Sequence, residues 1–224
     1  MNKTTVESVA RPIRHERVRR GSVDDQQKLR REILDAAFEI YGRDGLNALT
    51  MRAVASAVGL SAMALYRYFA DKSELVQGLW DFVMKDVFAD VSAAVDAAGA
   101  SPSARLRACT EAAMTYWETH PDHFRLVFMT EQTLAPRKAT SVTDLPSYHR
   151  VVDLSLGILE AWADELGGDR AGCLLARDLR MSMMVGYLHA RLINRRYPWA
   201  DQAALRAKTV DTIVDAARAC LCPA

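Results

Sequence analysis

The chain has 224 residues, of which half are hydrophobic and a quarter charged, and its net charge is only +1. That length suits one or two domains with a sizeable core, and no apolar run reaches the roughly 20 residues needed to cross a bilayer. The near-neutral balance excludes a chain that is basic throughout, so any binding of nucleic acid must come from locally concentrated charge.

The N-terminus is polar and rich in arginine, unlike a secretory leader. Arg11, Arg14, Arg17, Arg19 and Arg20 stand against a lone Glu16, in a stretch that also holds Pro12 and Gly21. Two readings fit this stretch: an arm that follows phosphates or enters a minor groove, and a solubilising tail. A first helix is expected over residues 28–43, where Ile33, Leu34, Ala37, Phe38, Ile40 and Tyr41 cover one broad face, with Gly45 just past its end.

Residues 50–72 read TMRAVASAVGLSAMALYRYFADK. Thr50 is a good N-cap, and Val54, Ala55 and Val58 form a helical stripe. Gly59 supplies the left-handed backbone that ends a helix, Leu60 is an apolar anchor, and Ser61 caps the next helix. Leu65 and Phe69 are four apart and bury together, leaving Met63, Tyr66, Arg67 and Tyr68 outside. Two short helices held by a tight glycine turn have the form of a helix-turn-helix, whose second helix lies in the DNA major groove. The alternative is an ordinary pair of core helices. Phe38, Tyr41, Val54, Leu65 and Phe69 are the expected core of the three-helix unit.

Asp71 and Glu74 have capping-box spacing and open a long helix to about residue 97, striped by Leu75, Leu79, Val83 and Val87. Ser101 and Pro102 start a helix to about residue 119, and His120-Pro121 breaks the chain before a short helix ending near Met129. Residues 131–145 read as a loop. Pro146 opens a helix closed by Gly167-Gly168, Asp169 caps another to about residue 195, and the last runs over residues 201–221. Gly186 and Ala190 allow close helix approach, beside Leu188 and Leu192; Leu205, Val210, Ile213, Val214, Ala217 and Leu221 give the last helix a broad apolar face. Such faces either close the monomer core or build a dimer. Cys109, Cys173, Cys220 and Cys222 lack zinc-site spacing, and buried small residues or a frayed end fit them better than a sensor.

The segment from about residue 33 to 75, about a fifth of the chain, resembles the DNA-binding domain of the tetracycline-repressor (TetR/AcrR) family. The matching stretches are ILDAAFEIYGRDGLNALTMRAVASAVGLS and LYRYFADKSEL. The resemblance implies an all-α fold. A flexible arm (1–27) precedes a three-helix helix-turn-helix DNA-binding domain (28–75), and a larger helical effector-binding and dimerisation domain (76–224) follows. It implies that Thr50, Tyr66 and Lys72 hold phosphates, that Arg67 and Tyr68 meet phosphates or bases, and that the recognition helix opens, behind its cap Ser61, on Ala62, Met63 and Ala64. Those three apolar side chains touch only surfaces such as a thymine methyl, so hydrogen-bonded readout falls on Arg52 and Arg67, with DNA shape supplying the rest. Two helices from each subunit are expected to form a four-helix bundle, setting the recognition helices about 34–36 Å apart on a palindromic site.

Met114, Trp117, Phe124, Phe128, Met129, Trp162, Met183, Met184 and Tyr187 are the candidate pocket wall, with plain core as the alternative. His120, His123 and His189 are candidate polar contacts. The expected function is a ligand-responsive regulator, a cytoplasmic repressor released from operator DNA by a mostly apolar or aromatic effector, with the fourth helix as the lever. No cofactor, metal, membrane contact or catalytic constellation is expected. Two other readings compete: a helical enzyme or carrier that keeps the head as structure, and a DNA-binding regulator without an effector.

Overall fold

The computed structural model describes residues 23–130, 141–168, 170–194 and 196–222. The arginine-rich arm, the cap at Asp169 and most of the 131–145 loop lie outside them. The described helices are α1 (Val23–Asp44), α2 (Met51–Ala57), α3 (Ala62–Leu65), α4 (Lys72–Ala97), α5 (Pro102–Thr119), α6 (Pro121–Met129), α7 (Pro146–Leu166), α8 (Ala171–Ile193) and α9 (Gln202–Leu221). Among the described residues there is no strand, and the fold is all-α.

Three boundaries differ from the sequence expectation. α1 starts five residues early, with Asp24 and Asp25 in its first turn facing the positive end of the helix dipole. The second helix of the turn motif is a single α-turn, after which the chain tightens: Arg67 and Tyr68 donate to carbonyls three residues back, and Phe69 to Leu65 O. Within the expected loop, Ser141 and Asp144 form a capping box over a 3-10 turn, Val142–Asp144.

One continuous core runs from Ile33 to Leu221. α4 threads it, packing against α1, α5, α6 and α7, and so buries more than the single stripe its sequence suggests: Val76, Trp80, Met84, Val91 and Val95 are enclosed as well. Trp80 donates its indole N–H to Leu126 O at 3.1 Å, which ties α4 to α6. The apolar face of α9 turns inward, with Val210, Ile213, Ala217 and Leu221 buried, while Leu205 and Val214 are half-buried. Close helix approach comes from glycines other than the expected one. A Cβ at Gly168 would lie 1.9 Å from Leu221 O, and one at Gly172 2.1 Å from Cys220 O, so the start of α8 rests on the backbone of the end of α9. A Cβ at Gly186 would meet nothing within 4 Å.

Candidate DNA-binding surface

Local chemistry fixes the turn. Thr50 Oγ1 accepts from Ala53 N at 3.1 Å and Ser61 Oγ from Ala64 N at 3.1 Å, so both hydroxyls cap helix N-termini. Between them Gly59, at φ +67°, donates to Ser56 O, and Leu60 donates to Ala55 O at 2.8 Å. This pair of bonds is the Schellman ending of α2.

Leu65 and Phe69 are fully buried. The Phe69 ring is gripped from two sides: the Arg30 guanidinium stands 4.5 Å from its centroid, and a Cβ at Gly78 of α4 would lie only 2.8 Å from Phe69 Cε1. The recognition turn is therefore seated on α1 and α4 by one aromatic side chain. Above it Met63 is 77% exposed and Tyr66 49% exposed, with Ala62, Arg67 and Arg52 also exposed; Ala64 and Tyr68 are half-buried. Ala62 and Tyr66 are four apart, as are Met63 and Arg67, so each pair shares a stretch of surface.

Lys72 is the first residue of α4, behind the N-cap Asp71, whose carboxylate accepts from Glu74 N. Glu74 in turn accepts from Ala70 N rather than from the cap itself, a one-residue variant of the expected capping box. Lys72 Nζ donates to Leu46 O at 2.6 Å, and burial holds its pKa below the usual lysine value. It thus clamps the α1–α2 connection to α4, and two further N–H donors remain for a phosphate. Gln26, Gln27 and Arg30 line a recess of about 410 Å³ with Arg67 and Tyr68. Sequence reading misses Gln26 and Gln27 because it starts that helix too late, and Arg30, inside the expected helix, because only the fold brings it beside Arg67.

The nine candidate pocket residues differ in their surroundings. Met114, Phe124, Trp117, Trp162 and Met184 are core, and the Trp117, Phe124 and Phe128 rings pack on one another at 4.9–6.1 Å between centroids. The Phe124 and Phe128 rings, four apart on α6, pack against each other. Met129 is exposed at the end of α6. Tyr187 donates to Glu118 Oε1 at 2.9 Å, and Arg206 donates to Glu118 Oε2 at 2.9 Å, so that tyrosine belongs to an α5–α8–α9 polar tie. Met183 and Tyr187 line a groove of about 450 Å³ between α8 and α9, shared with Gly186, Ala190 and Trp199.

His123 Nδ1 lies 2.8 Å from the Tyr116 hydroxyl and its ring 4.6 Å from that of Phe38 on α1. Burial, with the neighbouring His120 adding to it, pushes the His123 pKa down to about 4, against a partial offset from Asp122. A Cβ at Gly42 would come within 3.3 Å of Asp122 Oδ2. The start of α6 therefore abuts the end of α1, a second link to the head beside α4. His189 is exposed. Among the described residues no cluster of His, Cys, Asp and Glu suits a metal, and no helix is long and apolar enough to cross a membrane.

Residues 33–79 match the family described as bacterial regulatory proteins, tetR family. The chain is 28% identical over 137 residues to the HTH-type transcriptional repressor KstR2 of Mycobacterium tuberculosis, covering 61% of this chain and 64% of that protein. It is 28% identical over 124 residues to the HTH-type transcriptional activator FasR of Mycolicibacterium smegmatis, covering 55% and 56%. The aligned part thus spans less than two thirds of these relatives' own length. The solved structure of the TetR family transcriptional regulator PfmR from Thermus thermophilus superposes with a TM-score of 0.58 at 25% identity, over 82% of this chain and 97% of that one. With the capped turn, its buried anchors and its outward face in place, the match identifies residues 33–79 as a helix-turn-helix DNA-binding domain of the tetR family.

Proposed function

We propose that this chain is a ligand-responsive transcription regulator that binds a palindromic double-stranded operator as a homodimer and releases it when a small, mostly apolar effector binds. One observation carries the DNA step: Met63, Tyr66 and Arg67 stand outward over the buried Leu65 and Phe69, on a turn whose two caps are made. In this reading Thr50, Ser61, Tyr66, Tyr68 and Lys72 hold phosphates, Arg52 and Arg67 reach base edges, and Ala62, Met63 and Ala64 rest on apolar base surface. Residues 28–75 are the DNA-binding part and 76–224 the effector and dimer part. The outer α8–α9 groove, where Gly186 is open, is the dimer seam. α4 and α6 carry the signal, since both touch the head.

KstR2 is named a repressor and FasR an activator; we assign repression, with the effector favouring a spacing of the two heads that fits the operator poorly. Selection from random duplex DNA tests the proposal. It should return a two-fold symmetric site, and Tyr66→Ala should weaken binding to every sequence while Arg67→Ala relaxes preference at one position per half-site. Failure to enrich any sequence refutes it.

A further inference from the structure

Arg180 of α8 is 6% exposed, yet none of the ion pairs among the described residues includes it. Its partners are neutral. Nε donates to Thr110 Oγ1 at 3.0 Å, and Nη2 reaches Cys109 Sγ at 3.3 Å and Cys109 O at 3.5 Å. Thr110 is itself committed, donating to Leu106 O at 2.8 Å, so its lone pair holds Nε in a fixed direction. The guanidinium is thereby oriented through Nε and Nη2, while Nη1 has no acceptor among these bonds. A buried cation with only neutral partners carries a desolvation cost that an anion would offset.

The group does not face solid core. With Arg177, it lines a cleft of about 260 Å³ between α7 and α8 whose walls include Tyr148, Val151, Val152 and Met181. Arg177 is already neutralised by Asp178, with Nη2 and Oδ1 2.8 Å apart, and the Ser155 hydroxyl donates to Val152 O. Among the arginine and aspartate side chains of the cleft, which His149 also lines, one net positive charge is left, that of Arg180. The volume lies just below the roughly 300–1,000 Å³ of drug-sized sites, which limits the occupant to a small molecule.

We propose that the α7–α8 cleft is a binding site for a small monocarboxylic acid with an apolar body, its carboxylate on Arg180 Nη1 and its body against Val151, Val152 and Met181. A carboxylate meets a guanidinium with charge-assisted hydrogen bonds, and a dianion would leave one charge buried and unmatched. The assignment deepens the effector reading above and rests on it for its regulatory meaning, though not for the binding itself.

The test is calorimetric titration of the full chain with benzoate, phenylacetate and hexanoate, each beside its primary amide, a neutral isostere. At least one acid should bind, at least about 30-fold more tightly than its amide. Arg180→Met should abolish that preference while melting at or above the wild-type temperature, because removing an uncompensated buried charge is neutral or stabilising. If Arg180→Met does not fold, Val152→Trp fills the cleft, leaves the arginine, and should abolish acid binding equally. Binding of acid and amide with equal affinity, no binding of any of the three acids, or unchanged acid binding in a folded Arg180→Met protein each overturns the proposal. DNA binding measured on the same samples separates the two ideas. Operator binding by a protein that binds none of the acids sinks the cleft assignment alone. Acid binding that needs Arg180 in a protein that binds no DNA sinks the regulator reading and leaves the site standing.

Discussion

Gly78→Ala is the sharpest probe of how the recognition turn is held. Gly78 lies inside α4, where alanine is favoured over glycine by about 1 kcal/mol. The same substitution at Gly157, inside α7 with nothing within 4 Å of the added Cβ, should realise that gain. At Gly78 the new methyl would stand 2.8 Å from Phe69 Cε1 and 3.2 Å from Leu34 Cδ2, with the Arg30 guanidinium nitrogen at 3.5 Å. Phe69 is fully buried and Leu34 nearly so, and neither has free space to yield. Overpacking of this kind costs about 1–3 kcal/mol. Gly78→Ala should therefore fall about 1–3 kcal/mol below Gly157→Ala, which is roughly 2–12 °C in melting temperature for a chain of this size. Because the ring that must move closes the recognition turn, DNA affinity should fall in Gly78→Ala and stay at the wild-type level in Gly157→Ala. Urea denaturation and fluorescence anisotropy on a selected operator measure the two effects. Equal stabilisation by both substitutions, with DNA binding intact, would refute the claim that Phe69 is gripped between α1 and α4.

Lys72→Met removes the bond to Leu46 O and one candidate phosphate contact, so stability should drop by about 1 kcal/mol and the salt slope of DNA binding by about 1; an unchanged slope would remove Lys72 from the DNA surface. The pKa of His123 in the fold, about 4, lies below the 6.5 of a free histidine, so its neutral form is favoured by folding. That contribution is complete above about pH 6.5 and drains away as the pH falls toward 4, because only the unfolded chain takes up the proton. The full difference corresponds to roughly 3 kcal/mol, which partial exposure reduces to about 1–2. His123→Gln should flatten the stability profile in that window, measured as the difference between the two proteins by urea denaturation. Gly186→Arg places a long cation in the open α8–α9 groove and should shift sedimentation from dimer to monomer with the fold intact by circular dichroism; a dimer that persists would move the seam elsewhere.

The head was legible in the sequence because its determinants are local. Thr50, Gly59 and Ser61 act on hydrogen bonds within a few residues, so their roles follow from type and spacing alone. Helical stripes found α4 to α9 for the same reason. Spacing also determined that Leu65 and Phe69 face inward and Met63, Tyr66 and Arg67 outward.

What only the tertiary structure decided is what each buried face meets. Nothing in the sequence near Lys72 marks Leu46 as its partner 26 residues away, nor Gly78 as the seat of Phe69. The aromatic and methionine residues of the C-terminal half have the composition of a pocket wall; the fold buries Met114, Trp117, Phe124, Trp162 and Met184 and packs the Trp117, Phe124 and Phe128 rings on one another. Arg180 reads in the sequence as one more solvated helix charge; only the fold brings Thr110 and Cys109 around it and leaves it without a carboxylate. Caps, turns and stripes are decided within a few residues of chain, whereas cavities and buried charges depend on several helices meeting, and no local pattern encodes that meeting.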